Sequence, residues 1–148
     1  MNIDNQSQPV YNYKHLEGDV RWRRFYSATH YFLTIDQSGH VKGTRRFCSD
    51  SIFQIYSVSV GIVAIYAADS GLYLAMDKQG KVYGAKDYGP NCQFQERIEE
   101  NGYNTYASVK WHYHKHSMYL AISLKGQARR GRRTRYTQPS THFIPLSV

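Results

Sequence analysis

Apolar side chains recur at every second position in several short segments. Examples are Tyr31, Leu33, Ile35; Val58, Val60, Ile62; Leu72, Leu74, Met76; and Met118, Leu120, Ile122. Period two is the mark of a strand with one buried face. No stretch keeps the 3.6-residue spacing of a long amphipathic helix, and turn-forming residues punctuate the chain at short intervals. The pattern predicts an all-β protein.

Three segments superpose: YFLTIDQSGHVKG from Tyr31, LYLAMDKQGKVYG from Leu72 and MYLAISLKGQARRG from Met118. Each reads as an apolar strand, a four-residue turn closing on Gly39, Gly80 or Gly126, and a second strand. Leu33, Leu74 and Leu120 coincide, as do Ile35, Met76 and Ile122. Asp36, Asp77 and Ser123 head the turns, where a side-chain oxygen accepts a backbone N–H. The closing glycine supplies positive φ for a hairpin with a bulge. The glycine spacings of 41 and 46 residues imply copies of roughly forty residues and four strands each, a threefold pseudo-symmetric barrel. An ordinary β sandwich with similar hairpins is the competing arrangement.

At 148 residues the chain is long enough for one domain with its own core. Its formal charge is +8, and Lys125, Arg129, Arg130, Arg132, Arg133 and Arg135 account for six of these, leaving +2 elsewhere. The basicity is local, so it marks a docking patch for a polyanion. In the repeat this run is the second strand of the third hairpin, with Ala128 aligned to Val41 and Val82. The polar opening MNIDNQSQPV reads as part of a flexible arm over residues 1–18, followed by the domain over 19–148. No apolar run is long enough to span a membrane, and no charged-then-apolar leader opens the chain. Cys48 and Cys92 are a candidate disulfide, and Asn5 heads a glycosylation sequon that matters only in a secreted chain.

Catalytic constellations are missing: there is no phosphate loop, no nucleophile elbow and no paired carboxylates at a cleft. No enzymatic activity and no cofactor are expected. His112, His114 and His116 alternate on one side of a strand. They sit in an exposed hairpin without a cysteine or acid to close a site, so no metal is expected. Glu96, Glu99 and Glu100 precede Asn101-Gly102, a strong hairpin turn, and decorate its end. Tyr103 and Tyr106 beside these acids suit a partner surface. Trp22 and Trp111 read as core or rim residues.

The segment GKVYGAKDYGPNCQFQERIEENGYNTY (80–106) carries Gly80, Val82, Cys92, Phe94, Glu96 and Tyr103 in a specific spacing. Here the chain resembles the fibroblast growth factors, over roughly residues 11–148. Val82 stands where Leu or Ile is usual, and Asn91 where an acid precedes the cysteine. HLEGDVRWRR (15–24) and ERIEENGYNTYAS (96–108) are most similar to the keratinocyte growth factor subgroup. The resemblance implies a β-trefoil of about twelve strands and a secreted, extracellular, heparin-binding mitogen whose leader is removed. It implies binding to a fibroblast growth factor receptor ectodomain, the epithelial b isoform of receptor 2, with heparan sulfate as co-receptor. Matching positions assign receptor contacts to Asp19, Arg21, Tyr26, Arg45, Glu96, Asn101, Tyr103, Ile144 and Leu146. They assign heparin contacts to Thr29, Lys125, Arg129, Arg130, Arg132, Arg133 and Thr134, with Gly126 and Gly131 letting backbone and sulfate approach.

Two other readings remain open at this level. An intracellular trefoil interaction protein without receptor activation would keep the fold and lose the signal. A nucleic-acid-binding module would use the same arginines, but the stacking platform such modules need is not identifiable, and no nucleic-acid partner is expected.

Overall fold

The computed structural model describes residues 20–148. The arm over residues 1–18, the sequon at Asn5 and the contact residue Asp19 lie outside the described residues. Eleven strands are present: β1 (Arg21–Ser27), β2 (Phe32–Ile35), β3 (Val41–Thr44), β4 (Phe53–Ser59), β5 (Ile62–Ala67), β6 (Leu72–Met76), β7 (Val82–Ala85), β8 (Phe94–Ile98), β9 (Asn104–Tyr113), β10 (His116–Tyr119) and β11 (Phe143–Ser147). No α-helix occurs among the described residues.

The strands close on themselves. β1 pairs with β4, β4 with β5, β5 with β8, β8 with β9, β9 with β11, and β11 with β1, all antiparallel. This six-membered ring leaves no barrel edge unpaired. The hairpin β2–β3, the hairpin β6–β7 and the segment after β10 lie outside the ring. They are the three superposed segments of the sequence, one per copy, so the architecture is a β-trefoil.

Each hairpin turn is built as its sequence predicts. Gly39, Gly80 and Gly126 donate to the carbonyls of Asp36, Asp77 and Ser123 at 2.9–3.0 Å. One side-chain oxygen of each turn head accepts two further backbone N–H groups: Ser38 and His40 on Asp36, Gln79 and Lys81 on Asp77, Lys125 and Gln127 on Ser123. The turns then lock to one another. Gly84 N donates to Gly39 O, Gly131 N to Gly80 O and Gly43 N to Gly126 O, each at 2.8 Å. This is a closed cycle of backbone bonds around the pseudo-threefold axis. Gly80 shows why it needs glycine: φ is +82°, and a Cβ would stand 2.7 Å from Gly131 N.

The coinciding residues of the repeat fill the core. Leu33, Leu74, Leu120, Ile35, Met76 and Ile122 are all fully buried. Beneath them Phe25 packs edge-on against Phe53, Tyr106 and Phe143, with ring centroids 5.5, 5.1 and 6.3 Å away. Aromatic contacts of this geometry add to simple area burial.

The structure corrects three expectations. Val60 belongs to no alternating strand: it sits in the turn joining β4 to β5 and is fully exposed. The twelfth strand is reduced to two isolated bridges, Ile122↔Ala128 and Lys42↔Gln127. The third copy has one residue more than the others before its last glycine, and this extra residue breaks a regular ladder. Cys48 and Cys92 are free thiols. They begin and end the equivalent 3₁₀ turns of two different copies, which lead into β4 and β8. Trp22 is half-exposed, while Trp111 packs on the core and donates to Asn91 Oδ1 at 2.7 Å. The tryptophans thus take one rim and one core position, in line with the sequence reading.

Candidate functional site

The strand β11 strings one group of predicted contacts together. Its register puts Ile144 opposite Tyr26 and Leu146 opposite Arg24 on β1. Alternation sends Phe143 into the core, while Ile144 and Leu146 remain 38% and 39% exposed on the other face. Tyr26, Arg45 and Leu146 line one shallow hollow together with His30 and Phe32. The ring of Tyr26 lies 4.8 Å from Phe32, and Tyr26 Oη is 3.2 Å from His30 Nδ1. Arg45 lies over the ring of Tyr31 at 4.9 Å and donates to its hydroxyl.

At the other end, Phe143 pairs with Asn104, next to the turn that carries Asn101 and Tyr103. Asn101 Oδ1 accepts from Tyr103 N at 3.1 Å, and its amide lies 3.2 Å from His142 Nδ1. Tyr103 stacks on the His142 ring at 5.7 Å. The histidine holds both residues from below, and its other nitrogen meets Tyr136 O at 2.6 Å.

Arg21 and Glu96 form an ion pair at 3.0 Å. The second carboxylate oxygen accepts from Tyr106 Oη at 2.7 Å, and Asn104 Nδ2 donates to that phenol at 3.2 Å. Burial, and then the Glu96 charge, push the Tyr106 phenol well above its usual range. It is therefore a permanent donor near neutral pH, fixing the carboxylate from the core side.

The basic run divides. Lys125, Arg129 and Arg130 line a hollow at the pseudo-threefold axis. Arg129 is anchored, its guanidinium reaching Ser140 Oγ at 3.5 Å and Arg133 O at 3.4 Å. Arg132 turns away and lies over the Tyr113 ring at 5.0 Å. Arg133 is exposed in the 3₁₀ turn Gly131–Arg133. The two threonines do not present hydroxyls at this surface. Thr29 is buried and donates to Ile122 O at 3.1 Å, while Thr134 is buried, donates to Gly131 O at 2.6 Å and accepts from Tyr119 N at 2.9 Å. Their hydroxyls hold the loops in place.

A family model described as fibroblast growth factor matches residues 21–144. The chain belongs to the fibroblast growth factor family. It is 56% identical over 137 residues to fibroblast growth factor 22 of Mus musculus, covering 92% of this chain and 85% of that one. It is 51% identical over 140 residues to fibroblast growth factor 10 of Homo sapiens (94% and 67% of the two chains), and 41% over 150 residues to fibroblast growth factor 7 of Homo sapiens (100% and 77%). These relatives make up the keratinocyte growth factor-like subgroup, and the protein is a signalling growth factor, not an enzyme.

Several residues of the growth factor's surface carried no signal in the sequence. His30 and Phe32 complete the hollow around Tyr26, and Phe47 is 71% exposed with Arg24 over its ring at 4.7 Å. His142 beneath Tyr103 is invisible to period-two reasoning because its role is set across β9 and β11. Among the described residues no three His, Cys, Asp or Glu side chains are grouped to hold a metal, and no helix is long and apolar enough to cross a membrane.

Proposed function

We propose that this growth factor is secreted and activates a fibroblast growth factor receptor tyrosine kinase, the epithelial b isoform of receptor 2, with heparan sulfate as co-receptor. The observation that supports this most is that contacts from distant segments gather into local clusters: Tyr26, Arg45 and Leu146 around one hollow, Asn101 and Tyr103 on His142, and Arg21 with Glu96. Tyr26 and Arg21 come from β1, Arg45 from beyond β3, Glu96 from β8, Asn101 and Tyr103 from the turn after it, and Ile144 and Leu146 from β11. These clusters supply exposed apolar groups and charged groups held in fixed positions, the two components that give an interface affinity and register.

On this reading Tyr26, Ile144 and Leu146 pack against an immunoglobulin-like domain of the receptor. Glu96 and Asn101 then supply hydrogen bonds from pre-set positions. Guanidinium groups of the 125–135 segment pair with sulfates of the glycan, which holds two ligand–receptor pairs together. The receptor kinases phosphorylate each other in trans, promoting proliferation and differentiation. All covalent chemistry belongs to the receptor.

The test applies the protein, with and without heparin, to cells that each express one receptor isoform, and reads receptor phosphorylation. A heparin-dependent response through the b isoform of receptor 2 is expected. Silence from every isoform would sink the receptor reading. A response undiminished by Arg129→Gln, Arg130→Gln and Arg133→Gln together at limiting heparin would sink the glycan role.

A further inference from the structure

The hollow at the pseudo-threefold axis draws on all three copies. It is lined by His40 and Lys42 from the first hairpin, Lys81 from the second, and Lys125, Arg129 and Arg130 from the third, with no carboxylate in the lining. The cycle of glycine bonds brings these side chains together, because it pulls the three turns to hydrogen-bonding distance of one another. His40, Lys42 and Lys81 lie far in sequence from the basic run, and composition gave no reason to join them to it.

Asp36 and Asp77 remain charged, but they are directed at the backbone of their own turns and are absent from the lining of the hollow. Asp36 Oδ1 accepts from Ser38 N and His40 N at 2.9 and 3.0 Å, and Asp77 Oδ1 from Gln79 N and Lys81 N at 2.9 Å each. In the third copy the same turn is headed by Ser123, whose neutral hydroxyl does the same work. A negative charge is thus absent beside the three cations of that copy. Among the described residues none of the hollow's lysines or arginines is in an ion pair. Asp50 acts on Lys42 and Asp36 on His40 from a distance without pairing with them, so cations still outweigh acids around this concavity, concentrate field there and attract a multiply charged anion.

We infer that this axial hollow binds sulfate groups of a sulfated glycosaminoglycan, with His40, Lys42 and Lys81 extending the contact beyond residues 125–135. The inference rests on the glycan reading above. Arg129 and Arg130 belong both to the run and to the hollow, so one chain can engage both without a gap. The hollow would also position the glycan relative to the trefoil axis, since its cations are held by three turns instead of one flexible segment.

The experiment measures affinity for heparin oligosaccharides over a range of NaCl concentrations. It compares wild type, Lys42→Gln/Lys81→Gln, Lys42→Arg/Lys81→Arg, and Arg129→Gln/Arg130→Gln/Arg133→Gln. Each released counterion steepens the salt dependence, so the Gln pair is expected to flatten the log–log slope by about 1 to 2. The Arg pair, which keeps both charges and tests for collateral damage to the fold, is expected to restore the slope. If the Gln pair matches wild type while the arginine triple loses binding, the axial hollow is not used and the glycan reading stands. If neither variant changes the slope, both fail. Duplex DNA provides the last arm: weaker binding than heparin at equal salt supports the sulfated-glycan assignment, and equal binding overturns it.

Discussion

Arg21 and Glu96, on strands β1 and β8, meet at 3.0 Å with side chains 32% and 17% exposed. Two residues expected to serve a receptor separately are thus one unit. Tyr106 completes it by donating to the other Glu96 oxygen. Desolvation of a largely buried pair of this kind offsets much of its Coulomb gain, so it adds little net stability. Its larger value is to fix the carboxylate before a partner arrives. Glu96→Gln is therefore expected to lower receptor affinity about tenfold or more, the worth of a charge-assisted hydrogen bond, with little change in melting temperature. Arg21→Ala should show the same sign. Unchanged affinity in surface-plasmon binding to a receptor ectodomain would remove Glu96 from the interface.

Tyr106 gives a pH signature. Its folded pKa lies well above the ordinary value of 10.0, first because it is buried and then because Glu96 is beside it. A group that holds its proton more tightly when folded contributes stability fully below its unfolded pKa. That contribution is lost as pH rises toward the folded value. Alkaline unfolding is expected to bring a late, cooperative step in tyrosinate absorbance, and Tyr106→Phe should reduce it, leaving the part due to Tyr56 and Tyr119, which burial also raises. A smooth titration of Tyr106 in the intact fold contradicts this.

Two glycines separate backbone strain from collision. Gly80 and Gly102 both have positive φ, at +82° and +86°, but only Gly80 has a neighbour, 2.7 Å from where a Cβ would lie. Gly102→Ala should cost about 1 kcal/mol, the conformational penalty alone. Gly80→Ala should cost clearly more, because Gly131 backbone must move and the turn cycle opens. Equal losses in urea titration would show that the cycle yields freely.

Thr134 is expected to act through the fold. Thr134→Val removes a hydroxyl that both donates to Gly131 O and accepts from Tyr119 N. Gly131 O keeps its bond from Thr134 N at 3.1 Å, so the loss falls on Tyr119 N, and a buried group left unpaired costs about 1–3 kcal/mol. Stability should fall, while the salt slope of heparin binding is unchanged well below the melting temperature. A flattened slope in the folded variant would place the Thr134 hydroxyl at the glycan surface.

The thiols should differ in reactivity. Cys92 is buried, and burial raises its pKa, whereas Cys48 is partly exposed. Alkylation of the native protein is expected at Cys48 first, with Cys92 reacting on unfolding, and reducing agent should leave the melting temperature unchanged. A drop in melting temperature under reductant would indicate a bridge.

The repeat was legible because each copy carries its own local chemistry. A turn head that accepts two N–H groups and a glycine at positive φ are written within four residues, and Leu33, Leu74 and Leu120 mark the same buried layer. Val60 was misread because the alternating run Val58, Val60, Ile62 crosses a turn, and period two does not distinguish a strand from two strands meeting. The basic run was legible as charge. That Arg132 lies over Tyr113 while Lys125, Arg129 and Arg130 line the axial hollow is set by contacts between distant segments, which local spacing does not reveal.

The amino-acid sequence alone determined an all-β chain of three copies, the tight turns and the location of the excess positive charge, since these depend on neighbours in the chain. Only the tertiary structure decided that Arg21 pairs with Glu96, that His142 supports Tyr103, that Cys48 and Cys92 stay apart, and that Lys42 and Lys81 join Lys125 around one axis. These are distances between segments dozens of residues apart, and they are set by closure of the barrel and by the glycine cycle.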